Sequence, residues 1–110
     1  VKGCVLAGWR RHMIMEKLRA RRHVRIGELA ATFQVSERTI RNDIVRLASI
    51  YPIYTTQGRG TGGVHIVDTY ASEPRRLTDT QTHFFESIIP QLKPDDQEIA
   101  ESILLDFAPL

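Results

Sequence analysis

Leu29, Ala30 and Phe33 recur at i, i+1 and i+4, and Ile40, Ile44 and Leu47 at i, i+4 and i+7. Each spacing gathers apolar side chains on one side of a helix. Gln34-Val35 interrupts the pattern, and Ser36 then offers a side-chain oxygen that can accept the orphan N–H groups of a new helix. Residues 28–49 therefore read as a helix, a three-residue turn and a second helix over 36–49. An earlier stripe of Ile14, Met15 and Leu18, with Trp9 or Leu6 extending it backwards, predicts a helix before this pair. After it, Pro52–Gln57 and Val64–Val67 are short β-branched and aromatic runs of strand type. Gly58-Arg-Gly-Thr-Gly-Gly63 lies between them, and its glycines suit a loop that closes a hairpin. His23–Ile26 is a candidate third strand.

The tail has its own pattern. Thr78-Asp-Thr-Gln81 fits a capping box. Phe84, Phe85, Ile88 and Ile89 form an apolar face ending at Pro90, which stops or kinks a helix. Lys93-Pro94-Asp95-Asp96 is a turn into another helix, with Pro suited to the first position and acids favoured at the positive end of the dipole. Its stripe is Ile99, Ile103, Leu104 and Phe107. The expected fold is α+β and mainly α: a three-helix winged helix-turn-helix with a two- or three-strand wing, then a two-helix hairpin. The expected divisions are an N-terminal extension 1–9, the winged helix 10–68, a linker 69–77 and the hairpin 78–110.

At 100° per residue, the arc opposite the buried stripe of helix 36–49 is Arg38, Arg41, Asn42, Val45 and Ser49, with Arg46 at its margin. Arg bonds bidentately to guanine edges and Asn to adenine edges in the major groove, so the arc suits direct base readout. The bland reading is a solvated polar face, which every surface helix has. The capped turn, the paired helices and the hairpin that follows favour DNA. Arg59 at the loop tip suits a minor groove or a phosphate, against the reading of a plain turn with an incidental arginine. The reading as a phosphate-binding loop is weak, since no Gly-Lys-Ser/Thr ending is present and the loop joins two strands.

Charge sharpens the division. The net charge of +2 hides twelve Lys/Arg against four acids in residues 1–66, and three against nine in residues 67–110. A basic N-terminal part attracts phosphates regardless of sequence, while an acidic tail is repelled by them. Arg19, Arg21, Arg22 and Arg25 form a cluster of the phosphate-contacting kind, although an arginine stem can also simply cover the core. At 110 residues and 42% hydrophobic, the chain suits one compact domain with a small appendage. The lone Cys4 excludes an internal disulfide and suits a reducing cytosol, so a cytoplasmic location is expected. No apolar run approaches a membrane span, and the opening residues are too short and broken for a signal peptide.

The residues Glu28-Leu29-Ala30, Phe33, Val35-Ser36-Glu37-Arg38-Thr39-Ile40-Arg41-Asn42-Asp43-Ile44, Leu47 and Gly62-Gly63-Val64 resemble the DeoR-type winged helix. They are also similar to the N-terminal domain of biotin-ligase repressors. The resemblance covers about residues 10–67. It implies a bacterial or phage-like transcription regulator whose third helix enters the major groove. Carried over by position, Arg38, Thr39, Arg41 and Asn42 would contact bases. Ser36 and Arg46, with the cluster Arg21, Arg22 and Arg25, would contact the backbone, and Arg59, Gly60 and Thr61 would form the wing. Asn42 stands where Arg is frequent in that family. The sugar-phosphate effector domain of full-length DeoR-type regulators has no room here, so a small standalone form is expected.

Catalysis finds little support. His12, His23, His65 and His83 are scattered without ligand spacing, no second cysteine exists for a zinc site, and Asp95-Asp96 is explained by helix capping. No enzyme activity, metal, cofactor, membrane contact or small-molecule effector is expected. The expected partners are double-stranded DNA and a second copy of the chain. Phe84, Phe85, Ile88, Ile99, Ile103 and Phe107 are the candidate dimer contacts, since neither tail helix buries its stripe alone. Two alternatives stand: the hairpin folds back as an extension of the core, or the whole chain is a protein-interaction module with an acidic helical tail.

Overall fold

The computed structural model describes residues 4–58 and 62–109. It contains α1 (Cys4–Arg21), β1 (His23–Val24), α2 (Ile26–Phe33), α3 (Glu37–Ala48), β2 (Ile53–Thr56), β3 (Gly63–Ile66) and a short α4 (Asp68–Ser72). After these come α5 (Asp79–Ile88), a 3-10 turn (Ile89–Gln91) and α6 (Pro94–Phe107). The chain forms two compact units, residues 1–73 and 74–110.

The first unit is a winged helix-turn-helix, as the periodicity predicts. Ile14, Met15 and Leu18 of α1, Leu29 and Ala30 of α2, and Ile40, Ile44 and Leu47 of α3 are buried together with Val24, Ile53, Val64 and Ile66 of the sheet. The sheet is antiparallel in the order β1-β3-β2. His23 faces His65 and Val24 faces Val64 on one side of β3; Ile53 faces Ile66 and Tyr54 faces His65 on the other. Alternation along the strands sends Val24, Val64 and Ile66 inward and leaves His23, His65 and Tyr54 on the outer face. β1 is shorter than the expected third strand because Arg25 starts the next helix with extended backbone and Ile26 is already helical.

The turn between α2 and α3 is built by local bonds. Gln34 takes the left-handed conformation (φ 55°), its N–H donates to the Ala31 carbonyl at 3.4 Å, and the Val35 N–H donates to the Ala30 carbonyl at 3.1 Å. That double bond, with Val35 packed against the core, is a Schellman ending. α1 also ends left-handed, at Arg22 (φ 69°). Near that end the Arg19 guanidinium lies 5.5 Å from the Tyr51 ring and 5.8 Å from the Tyr70 ring, and its Nη2 donates to the Tyr70 hydroxyl at 3.2 Å. α4 is thereby tied to α1.

The second unit is a helical hairpin. Thr78 caps α5 with the expected box: the Gln81 N–H donates to Thr78 Oγ1 at 3.1 Å and the Thr78 N–H to Gln81 Oε1 at 2.8 Å. At Pro90 the helix tightens into the 3-10 turn. The hairpin closes on itself where the Leu77 N–H donates to the Phe107 carbonyl at 2.6 Å and Arg76 to the Ala108 carbonyl at 3.0 Å. Among its described residues Ala100 alone is buried.

Candidate nucleic-acid interface

Ser36 starts α3. Its hydroxyl accepts the Thr39 N–H at 3.1 Å and lies 3.0 Å from the Thr39 hydroxyl, so both oxygens serve the helix start. From that cap, 3.6-residue periodicity divides the helix: Ile40, Asp43, Ile44 and Leu47 are buried, while Arg38, Arg41, Asn42, Val45, Arg46 and Ser49 are exposed. Thr39 is half-buried at the margin.

Asp43 is the residue that sequence reasoning missed. It is 2% exposed, and its carboxylate receives Arg10 Nε at 2.5 Å and Nη2 at 3.0 Å, with Arg11 Nη1 at 3.5 Å. Those hydrogen bonds raise the Arg10 pKa above its ordinary value. A buried carboxylate tolerates loss of its cations poorly, so the cluster fixes α3 against α1. The signal was present: Asp43 lies between Ile40 and Ile44 on the buried stripe, where only a paired acid fits. Arg10 therefore spends its charge inside the fold.

The arginines expected to contact DNA differ in how far the fold engages them. Arg41 is exposed and pairs with Glu37 one turn earlier at 3.3 Å. Arg21 is engaged with Glu28, whose pKa that hydrogen bond lowers. Arg22 folds back onto the Arg19 carbonyl, Ser72 at 3.4 Å and Asp68 at 4.0 Å. Arg25 is exposed. Among the described residues, no hydrogen bond or ion pair engages the side chains of Arg38, Asn42 and Arg46.

Between α3 and the β2–β3 strands, within the first unit, runs an open cleft of about 700 Å³. Arg41, Val45 and Ala48 line its helix wall, Tyr54 and Gly63 its sheet wall, and Arg25 one end. Gly63 is required by a close approach, since a Cβ there would meet the Val24 carbonyl at 2.6 Å. The wing residues Arg59, Gly60 and Thr61 lie outside the described residues. On the sheet's outer face the fold brings together two histidines that looked scattered in sequence. His23 and His65 stack at 4.4 Å, Tyr54 stacks on His65 at 5.0 Å, and Thr56 Oγ1 lies 2.8 Å from His65 Nε2. Burial, then the charge of His23, lowers the His65 pKa. No cluster of three metal-ligating side chains occurs among the described residues.

The candidate dimer residues sit on the hairpin. Phe84, Ile99 and Phe107 are exposed and Phe85, Ile88 and Ile103 half-buried. Leu105, absent from the expected stripe, is 80% exposed.

A family model described as an HTH domain matches residues 10–63. These residues, just under half of the chain, are similar to that family and carry the helix-turn-helix fold. The chain is 34% identical over 85 residues to a Bacillus subtilis (strain 168) protein named "Uncharacterized HTH-type transcriptional regulator YobV". That alignment covers 76% of this chain and 26% of the relative, so the chain spans about a quarter of the relative's length. No solved structure matches. Among the described residues, no helix is long and apolar enough to cross a membrane.

Proposed function

We propose that this chain is the DNA-binding part of a bacterial transcription regulator of DeoR type, or the whole of a small one. One observation carries the reading: Arg38, Arg41 and Asn42 share the exposed face of a helix whose opposite face is held by Ile40, Ile44, Leu47 and the Asp43 cluster. A rigid helix that offers guanidinium and amide groups suits the major groove. In this reading Arg38, Thr39, Arg41 and Asn42 contact base edges. Ser36 and Arg46 contact phosphates, and Arg21, Arg22 and Arg25 join them only by leaving their partners within the fold. Arg59, Gly60 and Thr61 sit on the minor groove or backbone. The hairpin is a dimer contact, which its near lack of buried side chains supports.

Selection of bound duplexes from a random pool tests this, with salt titration on the winner and on a scrambled duplex. A motif bound at least ~10³-fold tighter than the scramble is expected. Arg41→Ala and Asn42→Ala should each cost about 1–3 kcal/mol on that motif and relax its specificity, whereas Arg46→Ala weakens all duplexes alike. Equal losses on every sequence refute base readout. Absence of binding to any duplex returns the chain to the protein-interaction reading.

A further inference from the structure

Val45 is the most exposed of the large apolar side chains described in the first unit, at 71%. Ile50 and Val67 are only 38% exposed, and the two that are about half exposed find company: Trp9 packs edge-on with Phe33 at 6.3 Å, and Tyr54 stacks on His65. Val45 is a poor choice for a solvated helix position, because β-branching lowers helix propensity and water gains nothing from its methyls. The fold does not need it either, since α3 already buries Ile40, Ile44 and Leu47. Its neighbours on the exposed face are Arg41 one turn earlier, Asn42 three residues earlier and Ala48 three residues later. Val45, Ala48 and Arg41 together line the cleft.

Resting on the DNA-binding reading, we propose that Val45 reads the 5-methyl group of a thymine beside an adenine bonded by Asn42. Thymine is the base that presents an apolar group in the major groove, and a short branched side chain without hydrogen-bonding atoms complements it. Reach agrees. Arg38 and Val45 are seven residues apart, or about 10.5 Å along the helix at its ordinary rise. That span matches roughly three base-pair steps of about 3.4 Å each. One exposed stripe thus addresses consecutive pairs, with guanidinium groups on guanine, the amide on adenine and the isopropyl group on thymine methyl.

The test uses the full chain and the duplex selected above, with each thymine replaced singly by deoxyuridine, which lacks only the methyl. One or two replacements should weaken the wild type about fourfold, the share of a single buried methyl group. Val45→Ala should bind the thymine and uracil duplexes equally, while Asn42→Ala, weaker on both, still distinguishes them. The Val45→Ala fold is checked by its unchanged melting temperature. The assignment is overturned if no uracil replacement weakens the wild type, or if Val45→Ala keeps the full discrimination. Failure of selection itself, with no duplex preferred, sinks the DNA reading and this assignment together, and is a distinct result.

Discussion

The two units solve burial differently. Residues 1–73 close twelve apolar side chains into one core shared by three helices and a sheet, whereas among the described residues of 74–110 only Ala100 is buried. Charge follows the same division: the first unit holds twelve basic and six acidic residues, the second three and seven. A basic unit with its own core can present a rigid surface to a polyanion. An acidic hairpin with exposed Phe84, Ile99, Leu105 and Phe107 has good caps and little to hold them, so its stability depends on what covers it.

The sharpest way to break this contrast is one truncation made in each unit. Ile40→Ala should cost about 3 kcal/mol, because it removes a fully buried side chain and leaves a cavity. Ile99→Ala, at a position 61% exposed, should cost less than about 0.5 kcal/mol in dilute protein, read by urea unfolding. A cost at Ile99 that grows with protein concentration would identify a second copy as its cover. A large cost at every concentration would show that this chain itself buries Ile99.

Next in size is the polar anchor of the first unit. Asp43→Ala should destabilise by about 3 kcal/mol, since Arg10 and Arg11 lose the carboxylate that satisfies them. A near-neutral result would mean that the cluster adds nothing to the packing of α3 on α1. Gln34→Gly should raise stability by about 1 kcal/mol, because glycine adopts the left-handed backbone without a Cβ penalty. A melting temperature that fails to rise would contradict the Schellman ending.

The smallest expected effect concerns His65. Its imidazolium is disfavoured in the folded state by burial and by His23, so the unfolded chain binds a proton more readily. Its contribution to stability is therefore full above the ordinary histidine value of 6.5 and is lost as pH falls through it towards the lower folded value. Urea midpoints between pH 7.5 and pH 5.5 should fall more for the wild type than for His65→Asn. Identical slopes would show that the stack with His23 carries no electrostatic cost.

Much of this was legible because it is local. The stripe at 40, 44 and 47, the Ser36 cap and the Thr78–Gln81 box are interactions within four or seven residues, and spacing alone reveals them. The exposed face of α3 followed from the same phase, as its complement. Asp43 was legible in principle, yet a charge reads as solvated until its partner is known, and Arg10 lies 33 residues away. Counting arginines overstated the charge free to face a phosphate, since Arg10, Arg21 and Arg22 bond within the fold.

The sequence by itself determined the helix phases, their caps, the glycine hairpin and the division of charge between the two ends, since each arises from residues near in the chain. Only the tertiary structure decided which arginines remain outward and that His23 and His65 stack across β1 and β3. It also decided that Asp43, rather than another apolar residue, completes the buried face of α3. Those outcomes depend on how elements pack across tens of residues, where one crossing angle determines whether a charge meets water, a partner or nothing.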